Sequence, residues 1–231
     1  MKIKHGMILA AGLGKRMQPI TLKTPKPLIQ IGNKNLLDRA IELLVNHGVN
    51  EIAINVHHLA DQIKDFINKK KYRVKITISH EQDMLLDTGG GIFNATKSFK
   101  EPFIVVNPDT LWSNVYSREL SDLEDFYFQH KKACLLLVNK NLSFDTSFNG
   151  DFNLQDGIVS RDDSNELIYT GLQILDHSVF SSIKEKIFSM NKIWNNLIEK
   201  KCLIGTESKQ KFYHLNTKEM HNKILDLNIT D

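Results

Sequence analysis

The sequence predicts an α/β domain in which a mixed, mostly parallel central sheet is flanked by helices. Three observations lead there. Short β-like runs alternate with stretches of helical apolar spacing through the first half of the chain. The first run ends directly in a glycine-rich loop. A later apolar run, Phe103-Ile104-Val105-Val106, ends in Asn107-Pro108-Asp109, with a carboxylate at its carboxyl end. Such β-α-β-α alternation implies parallel strands with right-handed crossovers.

Taken in order, residues 3–9 read as a buried strand. Leu36, Leu37, Ala40, Ile41, Leu44 and Val45 recur at helical spacing, with Gly48 placed to end that helix. Residues 51–56 form the next strand, and Leu59, Ile63, Phe66 and Ile67 trace a second helix. Strands at 74–79 and 103–107 enclose a short helix at 90–99. Beyond residue 116 the pattern loosens. A helix at 117–130 leads to a strand at 133–138, then to short strands near 151–154 and 167–175. Helices at 192–201 and 217–227 close the chain, the last with Asn216 and Glu219 spaced as a capping box.

A chain of 231 residues, 41% hydrophobic and 25% charged, can bury one full core, so a single domain over 1–231 is expected. Thirty basic residues against 27 acidic leave +3, too mild a balance for a nucleic-acid partner. The densest run, Lys69-Lys70-Lys71, reads as a solvated helix end. Cys134 and Cys202 fit free thiols of a reducing compartment. Lys2 and Lys4 before an apolar stretch imitate a secretory leader, but Lys15 and Arg16 follow at once. No segment reaches the ~20 apolar residues of a bilayer span, so a cytoplasmic protein without a membrane partner is expected.

The residues that promise chemistry cluster at strand ends. Ala10-Ala11-Gly12-Leu13-Gly14-Lys15-Arg16-Met17 lets backbone N–H groups approach a phosphate chain, and Arg16 adds a planar fork for phosphate oxygens. It is not a P-loop, which needs Ser or Thr after the lysine, nor a dinucleotide fingerprint, which needs a third glycine where Met17 stands. Pro25-Lys26-Pro27 fixes the backbone on both sides of one point charge. Asp109 offers a hard oxygen suited to Mg²⁺, at the place where open α/β sheets bind ligands; a turn aspartate after a proline is its bland reading. Asp87-Thr88-Gly89-Gly90-Gly91 opens a helix and could read the edge of a flat ring; its bland reading is a flexible loop. The histidines show no metal-ligand spacing, and Asn55-Val56-His57-His58 reads as a strand end near the site. Trp112 and Trp194 read as core or pocket wall.

Together these segments resemble the sugar-1-phosphate nucleotidylyltransferases. The likeness runs from residues 7–17 through Thr24-Pro25-Lys26-Pro27-Leu28, residues 87–92 and Asn107-Pro108-Asp109. It continues through Gly150-Asp151-Phe152, Tyr169-Thr170-Gly171 and His214-Leu215-Asn216-Thr217. The chain looks most like the short bacterial N-acetylmuramate-1-phosphate uridylyltransferases and is also similar to mannose-1-phosphate guanylyltransferases. The resemblance implies a Rossmann-like nucleotidyltransferase fold, with residues 1–115 mainly holding the nucleotide and 116–231 mainly the sugar phosphate. It implies a magnesium-dependent transfer from a nucleoside triphosphate, UTP first, to a sugar 1-phosphate, N-acetylmuramate 1-phosphate first, within cell-wall recycling and by a monomer or small homo-oligomer. It makes Gly12, Gly14 and Arg16 the triphosphate loop, with Leu9, Ala11 and Lys15 also at the nucleotide, Lys26 a charge at the reacting phosphates and Asp109 the metal ligand. Glu81, Thr88 and Gly89 would lie at the base. Asn107, Gly150, Asp151, Thr170 and Gly171 would lie at the sugar.

The chain also departs from the family. Many relatives carry a second metal-holding aspartate where His214 stands and a glycine where Asn216 stands, and a Glu-Lys-Pro motif is missing between Asp162 and Tyr169. Imidazole is softer than Mg²⁺ prefers, so Asp109 alone with water and phosphate, a further carboxylate, or His214 as a phosphate donor stay open. Rival functions follow. One is guanylyl transfer to mannose 1-phosphate or cytidylyl transfer to another phosphate acceptor; the other, of a different class, is a non-catalytic nucleotide-binding regulatory module.

Overall fold

The first strand, β1 (His5–Leu9), lies in the interior of a nine-stranded sheet because its residues serve two faces at once. Met7 joins the apolar cluster on one side and Ile8 that on the other. The computed structural model describes residues 2–227; residues 1 and 228–231 of the expected domain lie outside the described residues. After β1 come a small hairpin, β2 (Gln30–Ile31) and β3 (Lys34–Asn35), then α1 (Leu36–His47), β4 (Glu51–Val56), α2 (Ala60–Lys70) and β5 (Lys75–His80). The chain continues through α3 (Asp87–Ala95), β6 (Phe103–Val106), α4 (Ser117–His130) and β7 (Cys134–Asn139). It ends with β8 (Asn153–Gln155), β9 (Ile158–Ser160), β10 (Leu167–Leu175), α5 (Met190–Glu199), β11 (Ile204–Ser208) and α6 (Lys218–Asp226).

The sheet runs β5-β4-β1-β6-β10-β7-β11-β9-β8. Its first four strands are mutually parallel, as the alternation predicts. The change of direction comes next: β10 pairs antiparallel to both β6 and β7, while β11 is parallel to β7. Ile104 and Val106 of β6 pack toward α1, α2 and α4, whereas Phe103 and Val105 pack toward α3 and α5. Each such side chain, fully withdrawn from water, contributes about 1.5–3 kcal/mol. A third apolar cluster, with Met17, Leu36, Leu111, Leu215 and Met220, fastens α6 beneath the loop that follows β1.

Helix boundaries follow their caps. Asn35 accepts the Asp38 N–H at 2.8 Å to start α1, and Gly48, at φ 101°, ends it where expected. The α6 cap differs from the expectation. Thr217, not Asn216, accepts the Met220 N–H, because the Asn216 amide is drawn to Asp145 instead. The helix expected at 90–99 begins three residues earlier. Gly89 to Gly91 lie within it rather than in a loop, covered by Phe188 and Lys186 on one side and by Asn55 and Glu81 on the other. The hairpin β2/β3 and the strands β9 and β11 were not anticipated. Among the described residues no helix is long and apolar enough to cross a membrane.

Candidate active site

The parallel strands β1, β4 and β6 all end at one edge of the sheet, and the loops leaving them wall a cleft of about 510 Å³. Leu9, Ala11, Gly12, Gly14, Lys15 and Arg16 form one side, with Lys26 beneath them. Gly14 sits at φ 61°, and a Cβ there would press against Thr21 at 2.8 Å. Gly12 has nothing within 4 Å of where a Cβ would stand, so the backbone lies open to a ligand. Arg16 is exposed on the rim. Glu81, Asp87 and Thr88 line the opposite side.

The loop is held in place by a chain of buried polar groups. Asn55, at the end of β4, accepts the Ala10 N–H at 2.8 Å and donates to Glu81 Oε1 at 2.7 Å. Glu81 Oε2 in turn accepts the Leu86 N–H, one residue before α3. All three side chains or backbones involved at 10, 55 and 81 are buried. Gly91 makes room for this contact, since a Cβ there would fall 2.6 Å from Asn55 Nδ2. Sequence reasoning placed Asn55 only at a strand end; the signal that could have exposed it is a polar residue inside the otherwise apolar, buried run from Ile52 to Val56.

Asp109 is the meeting point of two cavities. It lines the large cleft and also a smaller cavity of about 150 Å³ built from Phe148, Asp151, Tyr169, Thr170, Gly171, Phe212 and His214. Asn107 lines both as well. Lys26 Nζ lies 2.6 Å from Asp109 Oδ2, and His214 Nε2 lies 3.1 Å from the same oxygen. Burial alone would raise the Asp109 carboxyl, but the facing Lys26 and His214 hold it well below the usual carboxylate range. Its other oxygen, Oδ1, is buried without a hydrogen-bond partner among the described residues.

The remaining expected residues divide. Asp151 lines the small cavity, with Oδ2 accepting the Tyr169 N–H at 2.9 Å. Thr170 donates its hydroxyl to the Leu136 carbonyl, and Gly171, at φ 93°, lets β10 pass Asn107 where a Cβ would sit 2.8 Å away. Gly89 and Gly150 line neither cavity. A Cβ at Gly89 would strike the Phe188 ring at 2.5 Å, and one at Gly150 would strike the Asn165 carbonyl. Tyr169, Phe148 and Phe212 were not singled out for the small cavity, since single aromatics in loosely patterned sequence carry no local signal.

Asn216 completes the cleft from the far end of the chain. Its amide nitrogen donates to Asp145 Oδ2 at 2.7 Å. Burial pushes the Asp145 carboxyl up, but Ser147 and Asn216 bring it below its ordinary value, so it is ionised at neutral pH. Among the described residues no group of three or more His, Cys, Asp or Glu gathers as a metal cage. Hard oxygens come instead from single residues around the cleft: Asp109, Asn107 and Asn216 each carry a buried side-chain oxygen without a partner. A cleft with backbone donors, Lys26 and Arg16 at one end and such oxygens beside them can hold a polyphosphate against a second anion.

Residues 5–141 match the Nucleotidyl transferase family. The chain is 31% identical over 203 residues to the N-acetylmuramate alpha-1-phosphate uridylyltransferase of Caulobacter vibrioides, over 84% of this chain and 84% of that protein. It is 33% identical over 140 residues to the mannose-1-phosphate guanyltransferase of Saccharomyces cerevisiae, a match spanning 58% of this chain and 37% of that one. Among solved structures, HddC from Yersinia pseudotuberculosis, in complex with GMP-PN, superposes with a TM-score of 0.79 at 24% identity. That superposition covers 97% of this chain and 99% of HddC, a likeness of fold. Because the family match contains every residue lining the large cleft except Asn216, the chain belongs to the nucleotidyl transferase family and is an enzyme of the sugar-1-phosphate nucleotidyltransferase type.

Proposed function

We propose that this enzyme transfers the uridylyl group of UTP to N-acetylmuramate 1-phosphate, giving the nucleotide-sugar and pyrophosphate. The choice of substrates is supported by the Caulobacter relative, whose match extends over most of both chains. The observation that carries the reaction type is the position of Asp109, on the wall common to the cleft and the small cavity and paired with Lys26. In this reading residues 1–115 serve mainly the nucleotide and 116–231 mainly the sugar phosphate. Cys134 and Cys202, both unpaired, suit a cytoplasmic setting.

In this reading a phosphate oxygen of the acceptor attacks the α-phosphorus. A new P–O bond forms as the bond to the β-phosphate oxygen breaks, and pyrophosphate leaves with the electron pair. The attacking oxygen is already anionic, so no side chain need remove a proton. Gly12 and Gly14 let backbone N–H groups meet the phosphates, Arg16 neutralises the chain at the rim and Lys26 neutralises charge at the reacting centre. Asp109 would hold Mg²⁺; its unpartnered buried Oδ1 fits a hard cation. Bound there, the ion would neutralise charge on the α-phosphate and the departing pyrophosphate. His214, on the other carboxylate oxygen, orients Asp109. Thr88 and Glu81 shape the base end, Glu81 through its bond to Asn55.

Pyrophosphate release across UTP, GTP, CTP and dTTP against N-acetylmuramate, mannose and glucose 1-phosphates tests the reading. UTP with N-acetylmuramate 1-phosphate is expected to dominate, and a preference for GTP with mannose 1-phosphate would replace it. Asp109→Asn should lower turnover by ~10²–10³-fold, and turnover within twofold of the parent would remove Asp109 from the reacting centre.

A further inference from the structure

Asn216 presents an oxygen that nothing in the protein uses. The residue is 7% exposed, and its Nδ2 donates to the Asp145 carboxylate. A carboxylate only accepts, so the amide must keep its nitrogen toward Asp145 and its carbonyl turned the other way. That carbonyl oxygen is buried and has no donor among the described residues. Buried acceptors are normally satisfied, and one left open beside a ligand cleft points to the ligand. Capping does not explain it, since Thr217 caps α6.

The location narrows the choice. Asn216 lines the same cleft as Asp109. The two segments are tied together: Leu215 donates its N–H to the Asp109 carbonyl at 2.7 Å, and Thr110 pairs with His214 as an antiparallel bridge. Asp109 Oδ1 is likewise buried and without a partner. Two hard oxygens, one ionised and one an amide carbonyl, are a donor set for a small divalent cation. Asn107 Oδ1 is also unpartnered, but no hydrogen bond fixes which way its amide is turned.

We propose that the side-chain carbonyl of Asn216 is the second protein oxygen for the divalent cation gathered at Asp109, kept in that orientation by Asp145. Asp145 is a positioning residue: it never touches the ion, and it acts by forbidding the flipped amide. Ser147 supports it in turn, donating both its N–H and its hydroxyl to Asp145 Oδ1. The inference rests on the reading of Asp109 as the cation residue and adds to it the partner that completes the site.

The test is Mn²⁺ binding to the full chain, read from the electron paramagnetic resonance signal of the free ion, with no substrate and no turnover involved. Asn216→Ala is expected to weaken Mn²⁺ by about tenfold or more, and Asp109→Asn to weaken it further. Asp145→Asn offers a donor as well as an acceptor, lets the Asn216 amide turn, and is expected to cost ~10-fold. Should Asn216→Ala fail to fold in a thermal melt, Asp145→Asn decides alone. Equal Mn²⁺ affinity in the parent and in the folded Asn216 or Asp145 variants overturns the inference. A parent that binds no Mn²⁺ overturns it as well. Affinity unchanged by Asp109→Asn removes the cation role of Asp109 itself, and pyrophosphate release by the parent reports on the reaction independently of all three variants.

Discussion

Replacing Asn55 by alanine should damage the large cleft without altering any residue of the loop that follows β1. Asn55 is 2% exposed and bridges two buried groups, the Ala10 N–H at 2.8 Å and the Glu81 carboxylate at 2.7 Å. The variant leaves both without that partner. An orphaned buried N–H costs about 1–3 kcal/mol, and a buried carboxylate that loses a hydrogen bond costs about 1.5–3. Together with some local relaxation the loss should be about 3–5 kcal/mol, a large share of the ~5–15 kcal/mol that holds an ordinary domain. Urea unfolding followed by circular dichroism should show a lower midpoint with an unchanged slope, and the melting temperature should fall by roughly 2–4 °C per kcal/mol. Because Ala10 and Ala11 begin the loop proposed to hold the phosphates, a shift of about 1 Å there should also cost ~10²-fold in kcat/KM. A loss below about 1 kcal/mol with full turnover would show that the Ala10–Asn55–Glu81 chain holds nothing in place.

Lys26→Met should reduce kcat at saturating triphosphate by ~10²–10³-fold, and an effect confined to KM would argue that the lysine only binds. Glu124 ties the N-terminal segment to α4: its carboxylate accepts the Ile3 N–H at 2.7 Å and lies 3.1 Å from His47 Nε2 and 3.0 Å from Lys2 Nζ. Burial raises that carboxyl, but these partners bring it below its ordinary value. Its contribution is therefore complete at neutral pH and is lost as the pH falls from about 5 downward. Glu124→Gln should lower stability at pH 7 by about 1–3 kcal/mol and flatten the acid side of a stability–pH curve measured by urea unfolding; an unchanged curve would count against this account.

Much of the lining of the large cleft is legible in the sequence because its signals are local. A glycine loop directly after a buried strand, and Asp109 directly after another, are adjacent in sequence to the elements that aim them. Parallel strands pointing the same way then bring both to one edge, with no further information needed. The Asn55–Glu81–Leu86 chain escapes such reading because its members belong to separate strands and loops, and nothing in either neighbourhood marks them as partners. Asn216 misled for a related reason. A side chain that can cap its own helix looks local, yet the competing carboxylate of Asp145 lies 71 residues away in sequence. The reversal at β10 was also hidden. A buried strand is apolar on both faces whichever way it runs, so Leu172 and Ile174 say nothing of direction.

The wall shared by the two cavities has a consequence for how such an enzyme changes its chemistry. Among the described residues only Asn107 and Asp109 belong to both chambers. Apart from Thr110, the rest of the small cavity is lined by β10 and by the segments around Phe148, Asp151 and Phe212, so in the proposed reading changes there would redraw the acceptor pocket and leave the triphosphate loop untouched. The fold thus keeps its donor and its acceptor on separate evolutionary accounts, joined at one hinge of two residues.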